Sequence, residues 1–354
     1  MSKILFKSGE YEKMVHYDNI FMAYKNSIRN KRKQSSVLNF EINLIDNLES
    51  LYKEFKTKTY KPGKYNTFVI YEPKKRVIES LPYRDRVAQH VLFDFLYPRY
   101  DKIMIDTSFA NRVGKGTQQG MILEQKYMRK LGKGHYIIKG DIHHFFQSID
   151  QDILINILSK KIKDQDILDL CIKFIKCNNK HHVGIPIGNV TSQLFANIYL
   201  NELDHYVKDT LRVKYYIRYM DDFCINVKTK EEAIRVLDLI NKFVNEKLNL
   251  KLNNKTQIIK ESQGVNFLGG LVHYDYIKMR HKSVRNMKKK IKRFTNILIN
   301  TGDSRYYNYE LFAQYMSWKG LSMYSNCYTI RNYVYNQIKY LGIKNPDKYM
   351  KLAK

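Results

Sequence analysis

The stretch from Lys214 to Val227, KYYIRYMDDFCINV, decides the reading of this chain. Lys214–Tyr219 and Phe223–Val227 are β-rich runs, and the Met220-Asp221-Asp222 between them has the length of a tight hairpin connection. Two consecutive carboxylates are a poor structural choice for a turn, because adjacent like charges repel unless a cation sits between them. Strand side chains alternate in direction, so Asp221 is the expected direct metal ligand and Asp222 its secondary partner. The bland alternative is an exposed Asp-rich turn.

A metal site needs a further carboxylate from another strand end, and Asp141, 80 residues upstream of Asp221, offers one. Gly132-Lys133-Gly134 precedes the apolar run His135–Lys139, which reads as a short buried strand delivering Asp141. Ile153, Leu154, Ile157, Leu158 and Ile162 then trace one face of a helix, with Asp150 as its expected N-cap. Transfer of a nucleotide to a 3′-hydroxyl calls for such carboxylates, since two Mg²⁺ ions roughly 4 Å apart activate the attacking oxygen and neutralise the leaving pyrophosphate. Hard oxygen ligands suit Mg²⁺, with Mn²⁺ as a substitute.

Around this centre the order of elements is mixed. The periodicity predicts a helix over Phe40–Phe55, a strand-turn-strand over Asn66–Val77 and a helix over Arg84–Tyr97. A Gly/Pro-punctuated loop over Gly184–Asn189 opens a helix whose apolar face includes Leu194, Ile198 and Leu203. The expected fold class is α+β with a central antiparallel element.

Composition sets the outer bounds. The chain has 354 residues, 44% of them hydrophobic, with 16 Gly and 6 Pro, which excludes disordered and collagen-like classes. No apolar run reaches the roughly 18 residues of a membrane helix, and the first residues lack the apolar core of a signal peptide, so a cytoplasmic protein without a membrane partner is expected. Cys171, Cys177, Cys224 and Cys327 are too irregularly spaced for a disulfide framework or a zinc site, and are read as reduced packing residues. The pairs His143-His144 and His181-His182 lack zinc-ligand spacing. The net charge is +28, to which residues 1–75 contribute +7 and residues 274–354 contribute +13. Between Lys278 and Arg293 stand nine Lys/Arg and no acid, a pattern that asks for phosphates. Val284, Met287, Ile291, Phe294, Ile297 and Leu298 form a helical stripe there, leaving Arg285, Lys288, Lys289, Lys292 and Arg293 largely off it.

Seven blocks in order resemble the reverse transcriptase family: Arg76–Pro82 with Arg84-Asp85-Arg86; SFANRVGKG (108–116); DIHHFFQSID (141–150); GIPIGNVTSQLFAN (184–197); Tyr219–Asp222; LKLNNKT (250–256); and GVNFLG (264–269). The resemblance covers roughly residues 60–330. It implies a right-hand polymerase: an N-terminal helical extension (1–60), fingers (61–135 with part of 160–190), a palm (136–275) and a basic helical thumb (276–354). By the same resemblance Asp141 and Asp221 hold the metals with help from Asp222 and the backbone carbonyl of Ile142. Phe146 is the expected steric gate against a ribose 2′-hydroxyl, with Phe145 as the core residue beside it. Lys75 and Arg76 resemble the cations that hold an incoming triphosphate, and Arg112 a finger residue that contacts nucleotide or template. Asp85 is expected to be a structural partner.

The fourth block departs from the common Gln-Gly pattern and has Ile187-Gly188 followed by Ser192-Gln193. That form resembles the reverse transcriptases of diversity-generating retroelements, which copy a template RNA with errors. Ile187, Gly188 and Gln193 are therefore expected at the nascent base pair, where losing an amide weakens discrimination. The partners implied are template RNA, an RNA/DNA duplex, dNTPs and an optional accessory RNA-binding protein. A phage-defence reverse transcriptase copying a dedicated non-coding RNA shares the same active-site residues. A non-catalytic RNA-binding subunit is the alternative from another class, and the retention of Asp141, Asp221 and Asp222 argues against it.

Overall fold

The computed structural model describes residues 4–71, 76–176, 182–301 and 308–341. Lys75, Cys177 and His181, singled out by the sequence, lie outside them. The chain opens with four helices, α1 (Tyr11–Met14), α2 (Tyr17–Ser27), α3 (Ser35–Ile42) and α4 (Leu44–Lys56). The single helix expected over Phe40–Phe55 is thus two, broken at Asn43, whose ψ of 49° is not helical. One periodic pattern ran across the break because Phe40 and Leu48 both reach the core, while Ile42 and Ile45 are 76% and 67% exposed. The Asn47 amide caps the turn by donating to the Phe40 carbonyl at 3.0 Å.

A two-stranded ribbon follows, β1 (Asn66–Ile70) against β2 (Arg76–Ser80), with Val69 opposite Val77. Next come α5 (Tyr83–Asp101) and α6 (Thr117–Leu131). Helix α5 has little amphipathic character because it runs through the core, burying Val87, Ala88, Val91, Leu92, Leu96 and Tyr100. Strand β3 (Tyr136–Asp141) leads into the short α7 (Phe145–Ser148), then α8 (Gln151–Lys161), α9 (Gln165–Lys176) and the buried α10 (Val190–His205). Asp150 caps α8 as expected, accepting from the backbone N–H of Asp152 and Ile153.

The hairpin is present as β4 (Tyr215–Tyr219) and β5 (Asp222–Val227), after which α11 (Lys230–Leu248) returns the chain to β6 (Gln257–Lys260). The four strands form an antiparallel sheet in the order β4-β5-β3-β6. Alternation divides its faces. Ile138, Tyr216, Phe223 and Ile225 join the main core with α10 and α11. Ile137, Ile217 and Cys224 pack with Met121 and Met128 of α6 and with Val265 and Phe267. Gly140 lets the ring of Phe223 lie across β3, where an added Cβ would meet it at 2.1 Å.

A small sheet of β7 (Val265–Phe267), β8 (Gly270–Val272) and β9 (Ile277–Met279) precedes three helices, α12 (His281–Thr301), α13 (Asn308–Ser322) and α14 (Tyr328–Tyr340). Their separate core includes Met287, Ile291, Phe294, Trp318 and Val334, and the stripe expected on α12 faces it. The α+β class and the central antiparallel element are as expected. Among the described residues no helix is long and apolar enough to cross a membrane, and Cys171, Cys224 and Cys327 are free and buried.

Candidate active site

The site is built where β3 ends beside the β4–β5 turn. The register pairs Asp141 with Asp222, and the Ile142 N–H donates to the Asp221 carbonyl at 3.3 Å. Met220 opens the two-residue turn with a φ of 57°, the left-handed backbone that tight hairpins demand. A buried network keeps it there. Arg218, fully buried, donates to the Met220 carbonyl at 2.9 Å, to Asn197 at 3.1 Å and to both oxygens of Asp204 at 2.7 and 2.6 Å. Tyr216 adds a hydrogen bond to Asp204 at 2.7 Å. The SFANR segment is tied alongside, with the Phe109 N–H donating to the Arg218 carbonyl and the Asn197 amide to the Ala110 carbonyl.

The three aspartates differ in their surroundings. Asp141 accepts from the Asn253 amide at 3.0 Å, while the Asn253 N–H donates to the Asp141 carbonyl at 2.7 Å. Asp222 is ion-paired with Lys139 of β3. Asp221 is pushed up from its ordinary value, first by burial and then by the negative charge of Asp141, with Lys139 and Arg76 pulling the other way. A buried carboxylate with a second carboxylate beside it is suited to sharing a cation. The Ile142 carbonyl accepts no hydrogen bond among the described residues, which leaves it free as a further oxygen. Among the described residues no three His, Cys, Asp or Glu side chains make a ready cage. The donors are nonetheless all hard oxygens, and they fit Mg²⁺ or Mn²⁺.

The other expected residues divide. Arg76 opens β2 and its charge is felt at Asp221. Phe146 is half-buried, whereas Phe145 is 2% exposed in the core, as expected of the pair. Ile187 accepts at its carbonyl from the Glu79 N–H at 3.0 Å, and Gly188 sits so close that a Cβ would meet the Glu79 carbonyl at 2.7 Å. This loop is therefore held against β2. Gln193 is exposed on the first turn of α10. Asp85, 2% exposed, accepts from Tyr60 and the Gly63 N–H, as expected of a structural group.

Arg112 corrects the expectation. It is 7% exposed and four of its five N–H donors are spent on the Asp101 carboxylate and on the carbonyls of Asp101, Ile105 and Ser108, so it organises the loop rather than reaching out to a nucleotide. Arg285, Lys288, Lys289, Lys292 and Arg293 are all exposed on α12. Sequence reasoning missed Lys139, Asn253 and Arg218. A lysine within the apolar YIIKGD strand, two residues before Asp141, was the available signal for the first, because i and i+2 share a face.

A profile described as reverse transcriptase (RNA-dependent DNA polymerase) matches residues 61–272. The group II intron-encoded protein LtrA of Lactococcus lactis subsp. cremoris is 24% identical over 361 residues, covering 80% of this chain and 59% of LtrA. Protein YkfC of Escherichia coli K12 is 24% identical over 228 residues, covering 52% of this chain and 60% of YkfC. The chain thus spans about three fifths of the length of these relatives. Among solved structures, telomerase from Candida albicans in complex with a fragment of telomeric RNA aligns with a TM-score of 0.47 at 13% identity, over 84% of this chain and 64% of that one.

Proposed function

The chain belongs to the reverse transcriptase (RNA-dependent DNA polymerase) family, and from that premise we propose that it copies an RNA template into DNA by adding dNTPs to a primer 3′-hydroxyl. One observation carries the reading: Asp141 and Asp221 come together at the end of the palm-like sheet, where burial and the negative charge of Asp141 make ionising Asp221 costly, a cost that a bound cation relieves. Asp141, Asp221 and the Ile142 carbonyl would hold Mg²⁺, with Asp222 beside them. When bound, the divalent ions activate the attacking hydroxyl and neutralise the triphosphate. Asn253 orients the Asp141 carboxylate, and Arg218 fixes the turn that carries Asp221. Arg76 steadies the triphosphate as a charged fork. The half-buried ring of Phe146 fills the space of a 2′-hydroxyl. On α12 the exposed cations, with the apolar face turned into its own core, grip duplex phosphates without reading sequence.

In this reading the helices before residue 61 are an extension, residues 61–135 with part of 160–190 the fingers, 136–275 the palm and 276–354 the thumb. The subtype is that of a diversity-generating retroelement, and the copying is error-prone. Its support is the Ile187-Gly188 block, held against β2 by the Glu79–Ile187 hydrogen bond, which presents an aliphatic side chain where a family member with Gln has an amide. Extension of a DNA primer on an RNA template with Mg²⁺ and dNTPs tests the polymerase reading. The absence of product with every RNA offered contradicts it.

A further inference from the structure

Strand β3 buries a cation next to the carboxylates. Lys139 is 14% exposed at its side chain and pairs with Asp222, itself 28% exposed. In the register Cys224 lies directly opposite Lys139, and Asp222 is the diagonal neighbour opposite Asp141. The ring of Phe267, 5.4 Å from the ammonium, closes one side. The charges of Asp141, Asp221 and Arg280 reach it, as does that of Glu124 on α6. With Asp141 taken up by Asn253 and Asp222 by Lys139, Asp221 has no side-chain amide or ammonium hydrogen-bond partner among the described residues.

We propose that Lys139 is a positioning residue: its ammonium holds and neutralises Asp222, so that divalent-ion affinity is set by Asp141 and Asp221 working against an internal cation. The inference rests on the polymerase reading of the same aspartates. Without Lys139 the site loses its nearest opposing charge and Asp222 its ion-pair partner, which binds a cation more tightly but leaves Asp222 free to take it up in unproductive geometries. The internal cation therefore trades affinity for placement.

Mn²⁺ binding to the protein without nucleic acid or nucleotide, followed by electron paramagnetic resonance, gives a readout independent of activity. Lys139→Met is expected to bind Mn²⁺ roughly tenfold more tightly than wild type while primer extension slows, and Lys139→Arg to keep wild-type affinity. Asp222→Asn alone is expected to change affinity by less than about twofold, because its charge is already neutralised, yet in the Lys139→Met background it should abolish the gain. Unchanged or weaker Mn²⁺ binding in a folded Lys139→Met protein overturns the proposal, since a merely structural lysine would give that result. If Lys139→Met fails to fold, a large loss of Mn²⁺ affinity in Asp222→Asn overturns it equally, and retained affinity supports it. A wild-type protein that makes no DNA would sink the polymerase reading while leaving these binding results as they stand.

Discussion

At the residue scale, the two phenylalanines that end the DIHHFF run show how one position divides roles. Phe145 is sealed in the core and Phe146, packed against that core, is half-buried. Phe146→Ala should therefore lower the preference for dNTPs over rNTPs by roughly 10- to 100-fold with little change in dNTP turnover. Single-nucleotide incorporation kinetics measure this, and unchanged selectivity rejects the gate. If Ile187 lies at the nascent pair as proposed, Ile187→Gln supplies an amide there and is expected to lower misincorporation opposite template adenine, scored by sequencing the cDNA. Equal error spectra would count against the aliphatic account of low fidelity. The aspartates were legible because adjacent carboxylates in a turn have few structural uses. Arg112 was not, since a sequence cannot tell a loop cation aimed at a ligand from one whose donors are mostly taken by a nearby carboxylate and carbonyls.

At the element scale, the β4–β5 hairpin followed from its alternating runs and short turn, but what holds it did not. Arg218 and Asp204 come from a strand and a helix 14 residues apart and are both fully buried, and a buried pair leaves no mark on hydropathy patterning. The α3–α4 break was hidden for a related reason: both helices bury residues at compatible spacing, so periodicity merges them. Helix α6 brings a second buried charge to the sheet. Glu124 accepts from the Asn226 amide at 2.9 and 3.0 Å, and Asn226 in turn meets His135 at 3.1 Å. Burial lifts the Glu124 carboxyl from its ordinary 4.5 to about 7, the Asn226 hydrogen bond and Lys139 opposing the shift. A folded-state value above the unfolded one means that stability is fullest below the unfolded value and falls as pH rises through about 7. Glu124→Gln should therefore gain on wild type by up to about 3 kcal/mol between pH 5 and pH 8, the equivalent of the shift. Denaturant unfolding at both pH values checks this, and parallel stability curves contradict it.

At the scale of the whole molecule, the charge of +28 is arranged rather than spread. The C-terminal +13 sits on and around α12, whose apolar face packs into its own core while its exposed cations remain available to phosphate, and the N-terminal +7 accompanies helices α1–α4 and the β1–β2 ribbon. Residues 76–273 add only +8 while holding the three aspartates, so the cation those carboxylates need is supplied locally by Lys139 and by whatever divalent ion they bind. The order of the seven blocks made this plan readable, and several of them are tied to the β4-β5-β3-β6 sheet, SFANR by the Phe109–Arg218 backbone bond, the fourth block by Asn197 and LKLNNKT by Asn253. The three-stranded β7–β9 sheet escaped notice, its strands being too short for a periodic signal. The central claim is that Asp141 and Asp221 together make a nucleotidyl-transfer site. Extension of a DNA primer on an RNA template by wild type and Asp221→Asn in parallel tests it most directly: Mg²⁺-dependent product from wild type and a loss on the order of 10³-fold in the variant, about 4 kcal/mol of transition-state stabilisation, are predicted, and a variant that polymerises at the wild-type rate would contradict it.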